Sequence, residues 1–138
     1  MAMTRTVIRA IRWAVALLAL GVSGACAAAQ PKGEPHTPPR GSAERAAILD
    51  AMRAARGAAD QVFVAHHFKV QEGWAWVVAS PESRDGTQRY ELESWLLQRT
   101  GKGWAVVAQP CAEVTCDAKA ELAKIRERFP SAPAGIFR

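Results

Sequence analysis

In a chain of 138 residues, four groups of side chains have the types and spacing that chemistry requires. His66 and His67 are adjacent, Glu91 and Glu93 are two apart, Cys111 and Cys116 enclose "AEVT", and tryptophans stand at 13, 74, 76, 95 and 104. Imidazoles ligate metals or carry protons. Paired carboxylates serve glycoside hydrolysis, a thiolate at a helix start is a nucleophile, and indoles line apolar or sugar-like sites.

Spacing removes most of these chemistries. Neighbours on a strand point to opposite faces, so His66 and His67 cannot share one metal ion. No HxH, HExxH or CxxC…H pattern accompanies them. His66, in phase with Val64 and Phe68, is expected as a hydrogen-bonded core histidine, and His67, in phase with Lys69, as an exposed one. Glu91 and Glu93 would stand about 7 Å apart on one strand face, which reads as a solvated surface. The CxxxxC spacing differs from the CxxC of thioredoxin-like oxidoreductases, so a structural Cys111–Cys116 disulfide is expected, with two free thiols as the alternative. No serine sits in a GxSxG elbow. These patterns lead to no catalytic residue, no metal site and no cofactor.

The tryptophans carry the remaining functional signal. Trp74, Trp76 and Trp104 on a concave sheet would hold an apolar or sugar-like ligand, or a partner strand. The competing expectation is that they fill the space between sheet and helix. Trp95, in phase with Glu93 and Arg99, is expected to be the exposed one, and Arg99 is the cation placed to join a ligand site.

Those residues need strands to position them. From Gln61 to Pro110 the sequence has period two, with β-branched and aromatic residues suited to a pleated surface. "QEG" and "TGKG" are compact hairpin turns and "SPESRDGT" is a longer loop. "GWAWVVASP" from Gly73 is echoed by "GWAVVAQP" from Gly103. Each echo is the return strand of a hairpin, and two copies are too few for a solenoid or propeller. Pro81 and Pro110 are expected to end their strands.

Two amphipathic helices flank the strands. Ser42 caps the first and Gly57 ends it, with Ile48, Leu49, Met52 and Ala55 on one face. Thr115 or Asp117 caps the second, which carries Ala118, Leu122, Ile125 and Phe129 until Pro130. The expected fold class is α+β, a four-stranded antiparallel meander packed with an N-terminal and a C-terminal helix. The order of elements resembles a cystatin-like or NTF2-like roll.

The ends have their own logic. Arg5, Arg9 and Arg12 precede the apolar run Trp13 to Val22 and the small residues "SGACAAAQ". This is the pattern of a secretory signal peptide spanning 1–29, cut after Ala29 or Ala27. The strongly apolar part is about half of the roughly 20 residues a spanning helix needs. Cys26, after Ser23-Gly24-Ala25, opens a lipoprotein alternative. Residues 30–42, "QPKGEPHTPPRGS", are expected as a disordered Pro-rich linker, ahead of one domain at 43–130 and a tail at 131–138. Loss of the signal takes three arginines and no acid, lowering the net charge from +5 to about +2. Charges of both signs are interspersed, which argues against nucleic acid as a partner.

The succession "ILDAMR", "FVAHHFKVQEGWAWV" and "LLQRTGKGWAVV" resembles small exported bacterial proteins of unknown function, in which a helix precedes a Trp-rich meander. The resemblance is carried by Ile48, Leu49, Arg53, Phe63, Val70, Trp74, Val77, Leu96, Gly103, Trp104 and Val107. It implies fold and export and brings no activity. The expectation is an exported, periplasmic binding module for a small ligand or envelope protein, or else an interaction or inhibitor protein. A small hydrolase is the remaining alternative.

Overall fold

The structure is a computed structural model that describes residues 33–111 and 113–138. The expected signal peptide, with Trp13 and Cys26, lies outside the described residues. Element order is α1 (Ala43–Arg56), β1 (Val62–Gln71), β2 (Trp74–Glu82), β3 (Glu93–Thr100), β4 (Gly103–Ala108), α2 (Ala118–Arg128) and a 3-10 turn at Ala134–Phe137. The strands form one antiparallel sheet in the order β1-β2-β3-β4. The fold is therefore α+β with a four-stranded meander and two helices. Among the described residues no helix is long and apolar enough to cross a membrane.

The local chemistry explains the boundaries. Ser42 accepts a hydrogen bond from the Arg45 amide at 3.2 Å, and Gly57 closes α1 with φ of 69°, a left-handed conformation natural to glycine. Glu72 (φ 51°) and Gly73 (φ 79°) make the two-residue connection between β1 and β2, and positive φ at both sites matches the twist of a tight hairpin. Asp117 caps α2 by accepting from the amides of Lys119 and Ala120.

Both faces of the sheet are covered. On one, Ile48 and Met52 of α1 pack on Phe63, Phe68, Val70, Ala75, Val77, Ala79, Trp95 and Leu97. On the other, Ile125 of α2 and Ile136 of the 3-10 turn pack on Trp74, Trp76 and Leu96. Buried side chains thus alternate along β2 and β3 between two cores.

Four features correct the sequence reading. β1 slips register between Ala65 and His67, so His66 is the extra residue of a β-bulge. The slip brings Phe63 and Ala65 onto the face of Phe68 and Val70, where uninterrupted alternation had separated them. A second slip, between Leu96 and Leu97, lies against β4 and moves Ala108 to the face opposite Val106. β2 runs through Pro81 to Glu82, because past Ala79 it has lost β3 as a partner. There the missing proline donor is no loss, and the Pro81 carbonyl accepts from the Tyr90 amide. Fourth, part of the segment expected as a disordered linker docks on the sheet, through His36 and Pro38. His36 and Val70 exchange amide-to-carbonyl bonds of 2.9 and 2.8 Å, and Pro38 is fully buried. A free row of β1 main-chain groups accepts this segment, so its composition did not dictate a tether.

Candidate functional site

The predicted ligand residues are divided between the two faces. Trp74 and Trp76 are buried on the α2 side, where their rings meet Phe129 at 6.0 Å and Phe137 at 5.1 Å, both edge to face. Trp95 and Trp104 belong to the α1 side. No single pocket brings all four together.

Trp95 is the main correction. It is 1 % exposed, opposite Val77 on β2 and edge to face with Phe63 at 6.2 Å. Its charged neighbours in phase do mark its face, but that face lies under α1. Arg99 donates to Glu44 in the first turn of α1 at 3.1 Å, and Glu93 pairs with Arg56 in the last turn. Each charge also suits the helix macrodipole at its end. The ion pairs bracket the apolar centre and seal it.

The histidines exchange the expected roles. The bulge lifts His66 out of the core; it is exposed, with Nε2 3.0 Å from Ser80 Oγ. His67 is half-buried, and its Nε2 donates to the Ile136 carbonyl at 2.7 Å. A carbonyl can only accept, so Nε2 bears the proton. The His66–Ser80 contact was not legible in the sequence, since it depends on a bulge. Acyl transfer would also need a group orienting the imidazole, and among the described residues no hydrogen bond joins His66 to a carboxylate.

The two carboxylates differ in setting. Glu91 lies before β3 and is exposed, while Glu93 Oε2 accepts from Gln109 Nε2 at 3.3 Å in addition to the Arg56 pair. Cys111 and Cys116 are joined as a disulfide, with Cα atoms 6.0 Å apart. Among the described residues no three His, Cys, Asp or Glu side chains gather as metal ligands.

What stays accessible is the rim of the sheet. β1 has residues 33–39 along its outer side, whereas β4 has β3 as its strand neighbour and no strand beyond it among the described residues. From Trp104 to Ala108 every residue of β4 is half-buried, and "GWAVVA" contains no charge and no proline. The Arg99 guanidinium lies over the Trp104 ring at 5.1 Å. Fold and rim together define an α+β sheet domain whose two faces are filled and whose accessible features lie at its edges. Compared with protein-family models, with curated proteins and with solved structures, the chain matches none of them.

Proposed function

We propose that the protein is an exported, non-enzymatic interaction module of the cell envelope that receives an extended segment of a partner protein along the outer edge of β4. One observation carries this reading: β4 is an edge strand of six residues with neither charge nor proline. Soluble domains ordinarily guard such an edge with charge, proline or a covering element. An unguarded one offers a row of main-chain groups to an added strand, with side-chain contacts supplying selectivity. Trp104 and Arg99 stand beside that row and provide the contacts. The slip near Val107 bends the strand, so the receiving stretch is Gly103–Val106.

A small ligand held by Trp74 and Trp76 has less support, because both rings are already packed by Phe129 and Phe137. Hydrolysis has the least, because Glu93 is already engaged by Arg56 and Gln109. Export rests on residues 1–29, and a periplasmic setting suits the Cys111–Cys116 disulfide. Retention at the membrane through acylated Cys26 is the alternative form of the same reading. The element order supports a cystatin-like or NTF2-like roll, with α2 added on the second face.

The test is photo-crosslinking from position 102, in the exposed turn leading into β4, in cells that export the protein, followed by amide exchange on the isolated complex. One adduct at fixed stoichiometry, with slowed exchange at Trp104 to Val106, supports the reading. Unchanged exchange in β4, or equal capture by an Ala105→Lys variant, overturns it.

A further inference from the structure

On the opposite edge of the sheet, the chain entering α1 meets the bulge of β1 and encloses a cleft of about 390 Å³. Its charged lining has one sign. Arg40, Arg45, His66, His67 and Lys69 contribute to it, and no aspartate or glutamate does. The ion pairs among the described residues engage none of Arg40, Arg45 and Lys69. Residues 1–32 hold no acidic side chain either, so they bring no carboxylate to this charge.

The cleft is built from fixed parts. Arg45 Nη1 donates to the Pro38 carbonyl at 3.2 Å, and the guanidinium lies 4.5 Å over the Phe68 ring. One of its five donors is thereby used and the side chain is oriented, which lowers the entropy lost when an anion arrives. Burial, and after it the charge of Arg40, lower the Arg45 pKa from its ordinary value. Two cations held close, one of them partly desolvated, are both relieved by an oxyanion between them. The volume falls in the range of small-molecule sites.

We propose that this cleft binds a multiply charged phosphate group, with Arg40 and Arg45 as the donors. Two permanent cations with no acid in the lining call for a ligand of charge −2, and paired guanidinium forks match phosphate oxygens. A soluble phosphate ester and a phosphorylated lipid headgroup share this chemistry. The inference is independent of the β4 edge, which lies across the sheet.

Calorimetric titration with inorganic pyrophosphate, in a buffer free of other multivalent anions, tests it on the exported protein. Saturable binding is expected, with movement of the Arg45 side-chain signals in the NMR spectrum. Arg40→Ala, at an exposed position, should raise Kd about tenfold or more. Arg45→Lys keeps the charge and the packing stem but loses the fork, and should also weaken binding. Arg84→Ala, in the β2–β3 loop, should leave Kd unchanged. Sedimentation with phosphatidylcholine vesicles containing phosphatidate separates the sources. Vesicle binding competed by pyrophosphate assigns a lipid headgroup, and pyrophosphate binding without vesicle binding assigns a soluble ester. No saturable heat at millimolar pyrophosphate, or equal weakening by Arg40→Ala and Arg84→Ala, overturns the proposal.

Discussion

Trp95 illustrates how a residue's flanks can mislead. Glu93 and Arg99 in phase with it suggest solvent, yet both charges reach across to α1 and leave the indole sealed between them. Its Nε1 is buried with no hydrogen-bond partner among the described residues. Trp95→Ala should therefore cost about 3–5 kcal/mol in urea unfolding, the usual loss for a large aromatic core side chain. Trp95→Phe should cost less, since it discards an unsatisfied donor along with the lost volume. Asp85 is a second residue whose behaviour follows from its contacts. It accepts from Ser83 Oγ at 2.6 Å, from the Thr87 amide at 3.1 Å and from Thr87 Oγ1 at 2.8 Å. The Ser83 bond first, then the Thr87 bonds, pull its pKa from 3.8 to about 2. The folded value lies below the unfolded one, so the carboxylate's support of the loop is complete above about pH 4 and is lost as pH falls toward 2. The protection factor of the Thr87 amide should fall over that interval, and Asp85→Asn should remove that fall.

At the scale of elements, the strands, hairpin turns and helix caps were legible because each has a local cause. Period two, "EG" between strands, Ser42 before α1 and Asp117 before α2 all act through near neighbours. The bulges were not legible, because a slip leaves alternation intact on either side and changes only which halves belong together. His66 is the clearest case. Deleting it would restore unbroken alternation from Phe63 to Val70, with the core-facing set unchanged. The deletion variant should fold, keep its circular dichroism spectrum and lose no more than about 1–2 kcal/mol, within the common range for single changes. Deleting Ala75 instead would put Trp74 on the wrong face of a central strand and should abolish cooperative unfolding. The outer edge of β1 was misread for a related reason: Pro-rich composition described the segment at 33–42 but not the vacant ladder that receives it.

The whole molecule is a sheet with a core on each face, and that doubling accounts for its tryptophan content. A single-faced sheet would leave Trp74 and Trp76, or Trp95, in water. The sequence revealed two one-sided helices without saying that they cover opposite faces, since sidedness of a crossover is a tertiary choice. The site was legible to a smaller degree. Trp104 and Arg99 adjoin in space as neighbours on paired strands, while the cleft beside Arg45 draws on residues nearly thirty positions apart. Between β4 and α2 the disulfide closes a short loop, and loop-closure entropy for that length is worth about 2 kcal/mol. A Cys111→Ser, Cys116→Ser variant should unfold at correspondingly lower urea and fray first at the start of α2. On the proposed export, intact mass of the protein recovered from the cell envelope should show a new N-terminus at Gln30 and the two-proton deficit of a cystine. An acylated Cys26 would appear in the same spectrum.

The last residues act as a plug. Ile136 is fully buried, its carbonyl holds His67, and Phe137 closes over Trp76. Without Ile136 and Phe137 an indole-lined hollow would open and β1 would lose its latch. A chain lacking them would expose apolar surface and be open to digestion.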